Sequence, residues 1–172
     1  MSMFVFYDTD CNGEEEYDIF GEEYRTLIKI CCEYCDTLSL RITHPDTSFV
    51  NKLEKFATNK TNENISVYQH YFGTDMDAQC LYEIRYYKIC EELERTLLSI
   101  SDSVFKWIYG WGQTNPEDPV FYRHDGSVFF YSIVHEGKCA LIPQANENVE
   151  QIISNNHWLK QEKSDGDFAI NK

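Results

Sequence analysis

The residues best suited to chemistry lie near the start of the chain, in the run Asp8-Thr9-Asp10-Cys11-Asn12-Gly13. Side-chain oxygens at alternate positions followed by glycine are typical of calcium-binding loops, where the oxygens surround the cation and the glycine allows a sharp turn. The pattern then fails, because Ile19 stands where the bidentate glutamate should follow. We therefore predict an acidic turn and no metal site. If a site does form, its candidate ligands are Asp8, Asp10, Asn12 and Glu14.

Cysteine is the second residue type that could carry chemistry. Cys31, Cys32 and Cys35 lie close together, but zinc sites normally draw ligands from two separate segments and no second C-x-x-C is present. Cys31 and Cys35 fall on the apolar stripe of a predicted helix, which indicates free buried thiols. The total of 7 cysteines is odd and no signal peptide is apparent, so we expect a reducing, cytoplasmic location.

Catalytic motifs are not found in the sequence. It contains no G-x-S-x-G, no P-loop, no G-x-G-x-x-G and no H-E-x-x-H. The strand pairing predicted below separates His124 from His135 by roughly 26 Å and places Cys139 on the opposite face from His135. We therefore expect neither an enzyme nor a cofactor, although nothing in the sequence excludes an activity.

The charge of the chain restricts its partners. The net charge is −14, which argues against binding to nucleic acid and to anionic membranes. An acidic protein attracts basic surfaces and associates with them faster. Every charged side chain before Arg25 is acidic, so the acidic N-terminal segment, residues 1–21, is either a solvated face or an interaction surface.

Aromatic residues are in excess, at 15% of the chain. The run Trp107-Ile108-Tyr109-Gly110-Trp111-Gly112 precedes a loop that continues to Pro119. Because aromatic residues dominate binding hot spots and acids complement a basic partner, this loop is a candidate contact region. A core role for Trp107, with Trp111 closing a sheet edge, is equally well supported. The predicted partner contacts are Glu14, Glu15, Glu16, Trp111, Glu117 and Asp118.

The elements that must position these residues form a single α+β domain over residues 1–172, with an antiparallel sheet of about six strands packed against three to four helices. No transmembrane segment is apparent, and the last ten residues, 163–172, are predicted to be frayed. Strands are predicted at 3–7, 37–43, 65–72, 80–89 and in a meander over 120–143. Helices are predicted at 22–35, 48–57, 91–100, 103–109 and 149–154, and residues 59–64 are expected to form a polar loop.

The meander provides the clearest structural prediction. Asp-Gly and Glu-Gly are read as two-residue hairpin loops at 125–126 and 136–137. This pairs Val120 with Tyr131 and Tyr122 with Phe129 in the first hairpin, and Tyr131 with Ile142 in the second. Both faces of the meander are apolar, so the second must be covered by the protein itself or by a partner.

The segment Phe121-Tyr122-Arg123-His124-Asp125-Gly126-Ser127-Val128-Phe129-Phe130-Tyr131-Ser132-Ile133-Val134-His135-Glu136 resembles a family of small, mostly uncharacterised proteins of low-GC Gram-positive bacteria and their mobile elements. The resemblance covers about the C-terminal half and implies no catalytic residues. By type, the chain is also similar to immunity proteins of bacterial polymorphic toxin systems, which are small, acidic and rich in aromatics. That likeness is an analogy of type and carries no motif.

We therefore expect an acidic cytosolic binding protein that neutralises a toxin or nuclease by covering its basic active-site surface. Three alternatives stay open: a phage-encoded inhibitor of a host defence enzyme, a calcium-binding module or small metal-dependent enzyme, and a sporulation-associated protein.

Overall fold

The computed structural model describes residues 2–9, 16–42, 45, 47–63, 82–107, 109–110, 113–114, 116–154 and 157–162. In these residues the chain has the predicted α+β fold. One antiparallel sheet of 8 strands carries helices on one face, so the sheet is larger than the six strands expected.

The helices of the described residues are α1 (Gly21–Tyr34), α2 (Ser48–Leu53), α3 (Glu91–Ile100) and α4 (Glu150–Ile153). The strands are β1 (Ser2–Tyr7), β2 (Thr37–Ile42), β3 (Ala57–Glu63), β4 (Tyr82–Lys88), β5 (Tyr109–Gly110), β6 (Gln113–Thr114), β7 (Glu117–Tyr122), β8 (Val128–Ile133), β9 (Lys138–Leu141) and β10 (Leu159–Glu162). The sheet order is β10-β1-β9-β8-β7-β2-β4-β3, and β5 and β6 form a separate ribbon. Short 3₁₀ turns cover Glu54–Phe56 and Val134–Glu136.

Helix α1 forms where its apolar stripe predicts it. Tyr24, Leu27 and Cys31 are buried on one side, while Glu22 and Glu23 occupy the first turn, where the helix dipole favours carboxylates. The start of α3 lies near the end of α1, because Thr37 of β2 pairs with Lys88 of β4. The two helices therefore run antiparallel across the sheet.

The main core lies between the helices and one face of the sheet. It joins Leu27 and Leu97 of the helices to Leu38, Phe121 and Phe130 of the strands. A second apolar cluster on the other face includes Val5, Val120, Tyr131 and Ala140, all of them buried. Both faces of the meander are thus buried within a single chain, and the second face needs no partner to remove it from water.

The first hairpin confirms one predicted pair and corrects another. Val120 pairs with Tyr131 as expected, but an irregularity at Phe121/Tyr122 pairs Tyr122 with Val128. Such a bulge moves one side chain to the other face, so Phe129 joins the main core. The loop is also longer than two residues, because the Arg123 N–H donates to Ser127 O at 2.8 Å.

The second hairpin is shifted by two residues from the predicted register. Tyr131 pairs with Ala140 because the chain turns through the Val134–Glu136 3₁₀ turn and Gly137, whose φ is +58°, before β9 begins. The two-residue Glu-Gly loop was therefore wrong. Because side chains in a strand repeat with a period of two, this even shift keeps Ile142 on the same face as Tyr131, and both lie in the second apolar cluster.

Of four other predictions, two were wrong and two concern segments outside the described residues. Residues 103–107 form turns rather than a helix, and most of the expected polar loop, 59–64, lies in strand β3, which pairs with β4. The strand predicted at 65–72 and the frayed tail at 163–172 lie outside the described residues.

Candidate functional site

Two of the predicted partner contacts lie inside the protein. Glu117 and Asp118 are only 5% and 1% exposed, and both face Arg41 of β2. The Glu117 carboxylate forms an ion pair with the Arg41 guanidinium. Asp118 Oδ2 lies 3.4 Å from Arg41 Nε, and Asp118 Oδ1 accepts a 3.0 Å hydrogen bond from the Val134 N–H. Neither carboxylate can contact a partner in this conformation, so this prediction was wrong.

A bulge in strand pairing places the two acids together. Ser39 pairs with Val120, but Arg41 pairs with Glu117, so two residues of β7 stand opposite one residue of β2. Asp118 takes a φ of +52°, which is uncommon for a residue with a side chain. The sequence signal for this cluster was Arg41, which stands among the apolar residues of β2. A buried arginine requires a carboxylate partner.

A second buried ion pair holds the first hairpin. Arg123 Nε and Nη2 lie 2.6 and 2.7 Å from the two carboxylate oxygens of Glu147. The same guanidinium donates to the backbone oxygens of Val128 and Ile142, each at 2.6 Å. Burial alone would raise the pKa of Glu147, but the hydrogen bonds from Arg123 and from the Gln144 N–H outweigh it and lower the pKa. This arrangement is structural, since its donors are saturated within the fold.

Of the other predicted contacts, only Glu16 lies in a described part of the chain. It is exposed and forms an isolated β-bridge with Thr9. Glu14, Glu15 and Trp111 lie outside the described residues, so their contact roles stay predictions.

The exposed surface of the molecule is acidic around α1 and α3. Phe20 lies at one end of this region, directly before α1, with 64% of its surface exposed, more than Tyr7 or Leu159. Phe20 pairs with Ser103 in an isolated β-bridge, and the Gly21 N–H donates to Asp102 O at 2.8 Å. We define the α1–α3 surface by its exposed residues Phe20, Glu22, Glu23, Arg25, Lys29, Glu33, Glu91, Glu92, Arg95, Asp102 and Lys106.

Carboxylates outnumber cations on this surface, and several of its cations already lie beside acids. Arg25 is 3.4 Å from Glu22, Arg95 is 2.9 Å from Glu91, and Lys106 is 2.7 Å from Asp102. Exposed ion pairs of this kind are weak and easily exchanged for contacts with a partner. The surface therefore combines an exposed aromatic ring at one end with mixed charges among which acids are in excess.

Of the four candidate calcium ligands, only Asp8 lies in the described part of the chain. Asp8 follows β1, and its carboxyl group lies directly against Gly137, where an added Cβ atom would meet it. The pKa of Asp8 is raised by burial and, to a lesser extent, by Glu16 and Asp18. Asp10, Asn12 and Glu14 lie outside the described residues. Within the described part of the chain, no three Asp, Glu, His or Cys residues are placed to hold a metal ion.

Three of the five described cysteines are buried thiols. Cys31, Cys35 and Cys139 are buried and free, and Cys90 is free and exposed. Burial raises the pKa of Cys31 and Cys139 well above the usual thiol range, and it raises the pKa of Cys32 to about 12. Protonated buried thiols are poor nucleophiles and poor metal ligands.

Comparison with known protein families, with curated protein sequences and with solved structures found no match to this chain. Among the described helices, none is both long and apolar enough to cross a membrane. The function must therefore be inferred from the geometry and charge of the chain itself.

Proposed function

We propose that this protein is an acidic binding protein that neutralises a toxin or nuclease by covering its basic active-site surface, in the manner of an immunity protein. The observation that carries the proposal is Phe20, a large apolar ring that projects from a surface rich in carboxylates. Isolated exposed apolar residues are common, but one whose backbone is held by hydrogen bonds, beside a surface on which acids outnumber cations, fits a binding anchor.

The rigidity of Phe20 supports this role. Backbone hydrogen bonds on both sides of the residue, from Gly21 N–H to Asp102 O and from Val104 N–H to Ile19 O, fix the chain at 2.8 and 3.0 Å. A fixed backbone lowers the entropy lost when the ring is buried by a partner. The ring would supply affinity, while the carboxylates around it would speed association and select a cationic surface.

The net charge of the chain also indicates what kind of partner it has: an enzyme that acts on nucleic acid. Such enzymes present basic clefts to phosphate groups, and a protein with a net charge of −14 competes for the same surface. Binding of this kind weakens as salt is added, because the charges involved are exposed.

The proposal is tested with the product of the neighbouring gene as the probe. Purified protein should bind it and inhibit it at a one-to-one ratio, and Phe20→Ala should weaken binding about tenfold or more. Glu22→Lys/Glu23→Lys should slow association and reduce its salt dependence. The matched controls are Leu159→Ala, an exposed apolar residue at the sheet edge, and Glu150→Lys, an exposed acid on α4.

Both controls should bind as the wild type does. Binding that is indifferent to salt, or an unchanged affinity of Phe20→Ala beside the controls, would contradict the proposal. A neighbouring product that neither binds nor is inhibited would also count against it.

A further inference from the structure

We propose that Asp118 is held as the neutral acid in the folded protein at pH values where exposed aspartates are ionised, so that the bulge between β2 and β7 loosens when this proton is lost. The inference concerns a pH-sensitive device in the fold and does not depend on the proposed function.

The polar contacts of Asp118 are too few for a buried carboxylate. Its side chain is 1% exposed, and Oδ1 accepts one hydrogen bond, from the Val134 N–H at 3.0 Å. Oδ2 lies 3.4 Å from Arg41 Nε, which is longer than a good hydrogen bond. Because an ionised group without close partners is costly to bury, such a group neutralises instead.

The charged groups around Asp118 act on its ionisation in opposite directions. From β2 comes one cation, Arg41, which is already ion-paired with Glu117. Glu117 is the adjacent acid on β7, and Glu136 in the 3₁₀ turn after β8 is a further acid nearby. Burial is the largest effect and raises the pKa of Asp118, Arg41 and the Val134 N–H oppose it, and Glu136 adds to it, so the pKa is raised overall.

The burial of Asp118 keeps its carboxyl group away from water. The side chain is 1% exposed, and it stands in the bulge at a backbone φ of +52°, with Pro119 next in the chain. Because no water reaches the carboxyl group in the closed structure, relief of an ionised Asp118 requires the bulge to open.

The sign of the pH effect follows from the raised pKa. An unfolded aspartate loses its proton near its ordinary pKa of about 3.9. Above that pH the folded state holds one more proton than the unfolded state, so stability falls as pH rises, until Asp118 itself ionises in the folded protein.

Carbon NMR of aspartate-labelled protein tests the protonation state directly. The Asp118 carboxyl carbon should keep the shift of a neutral acid through the pH range in which Asp125 is ionised. Asp125 is a suitable internal reference, because its hydrogen bonds from Ser127 lower its pKa. An Asp118 carbon that titrates with Asp125, or at the ordinary aspartate pKa, would overturn the proposal.

Two neighbouring variants provide a second readout. Asp118→Asn imitates the neutral acid, so it should leave the urea midpoint at neutral pH unchanged or higher and should flatten its decline with rising pH. Glu117→Gln removes the carboxylate that pairs with Arg41, so it should lower the midpoint. If Asp118→Asn lowers the midpoint as much as Glu117→Gln does, Asp118 is an ionised partner of Arg41 and the inference fails. Should either variant not fold, the carbon titration of the unmodified chain decides.

Discussion

Replacing Arg123 by methionine should destabilise the protein more than any change to a surface ion pair. Methionine keeps most of the apolar length of the side chain but removes the guanidinium. The change leaves Glu147 buried without its cation, and it leaves the backbone oxygens of Val128 and Ile142 without their donor.

The size of the effect follows from these contacts. Breaking a buried ion pair from one side costs about 3–5 kcal/mol, and each buried carbonyl left without a donor costs about 1–3 kcal/mol. These costs overlap, so we expect a loss of about 5 kcal/mol in the free energy of unfolding, against a total of roughly 5–15 kcal/mol for a typical domain. A protein at the lower end of that range would be about half unfolded at room temperature, whereas one at the upper end would stay folded with a lowered urea midpoint.

Urea denaturation followed by circular dichroism measures this loss. Arg123→Met/Glu147→Met should recover a large part of the stability, because no uncompensated charge stays buried. Arg95→Met is the matched control, since its 2.9 Å pair with Glu91 is exposed and should contribute under about 1 kcal/mol. Equal losses for Arg123→Met and Arg95→Met, or no recovery in the double variant, would refute the reasoning.

The stability that the Arg123–Glu147 ion pair contributes should depend on pH. Because the pKa of Glu147 is lowered in the folded state, its contribution to stability is present above the ordinary glutamate pKa and is lost as pH falls through the lowered value. The stability difference between the wild type and Arg123→Met/Glu147→Met should therefore shrink on acidification. A difference that stays constant down to acid pH would show that the glutamate is not held in its ionised form.

Two further predictions concern the second hairpin and the thiols. Gly137→Ala should destabilise the protein clearly more than Gly126→Ala. Both glycines have positive φ, but only at Gly137 would the new Cβ meet a side chain, the Asp8 carboxyl group. Equal losses of stability in thermal unfolding would contradict this prediction. Cys90 should react with a thiol reagent in the native protein, whereas Cys31 and Cys139 should react only on unfolding, as mass spectrometry of partially labelled protein can show; early labelling of Cys139 would contradict the buried core.

Most strands of the sheet could be predicted from the sequence, but the irregularities in their pairing could not. Alternation of apolar residues places the meander strands and most of their faces correctly, because side chains in strands repeat with a period of two. The bulge that moves Phe129 into the main core could not be foreseen, since bulges depend on how the neighbouring strand is paired. Strand β3 was missed for a related reason: its polar residues resemble a loop, and only pairing with β4 makes them a strand.

The predicted partner contacts also depend on pairing between distant parts of the chain. A sequence of two acids before a proline reads as an exposed turn, yet Glu117 and Asp118 are drawn inside by Arg41, which is more than seventy positions earlier in the chain. Charge alone does not reveal such long-range pairing. Phe20 was overlooked because an isolated aromatic beside a helix is more often part of a core, and its exposure depends on the bridge to Ser103.

The position of β1 in the sheet has a consequence for folding. It lies between β9 and β10, so the first strand of the chain finds both of its neighbours only among residues 138–162. Pairings between such distant segments form slowly, because a long loop must close before any contact stabilises it. During synthesis, the strand Ser2–Tyr7 must therefore wait until residues 138–162 have emerged from the ribosome. Over that interval its apolar side chains, such as Val5, lack their partners in the sheet and are open to aggregation.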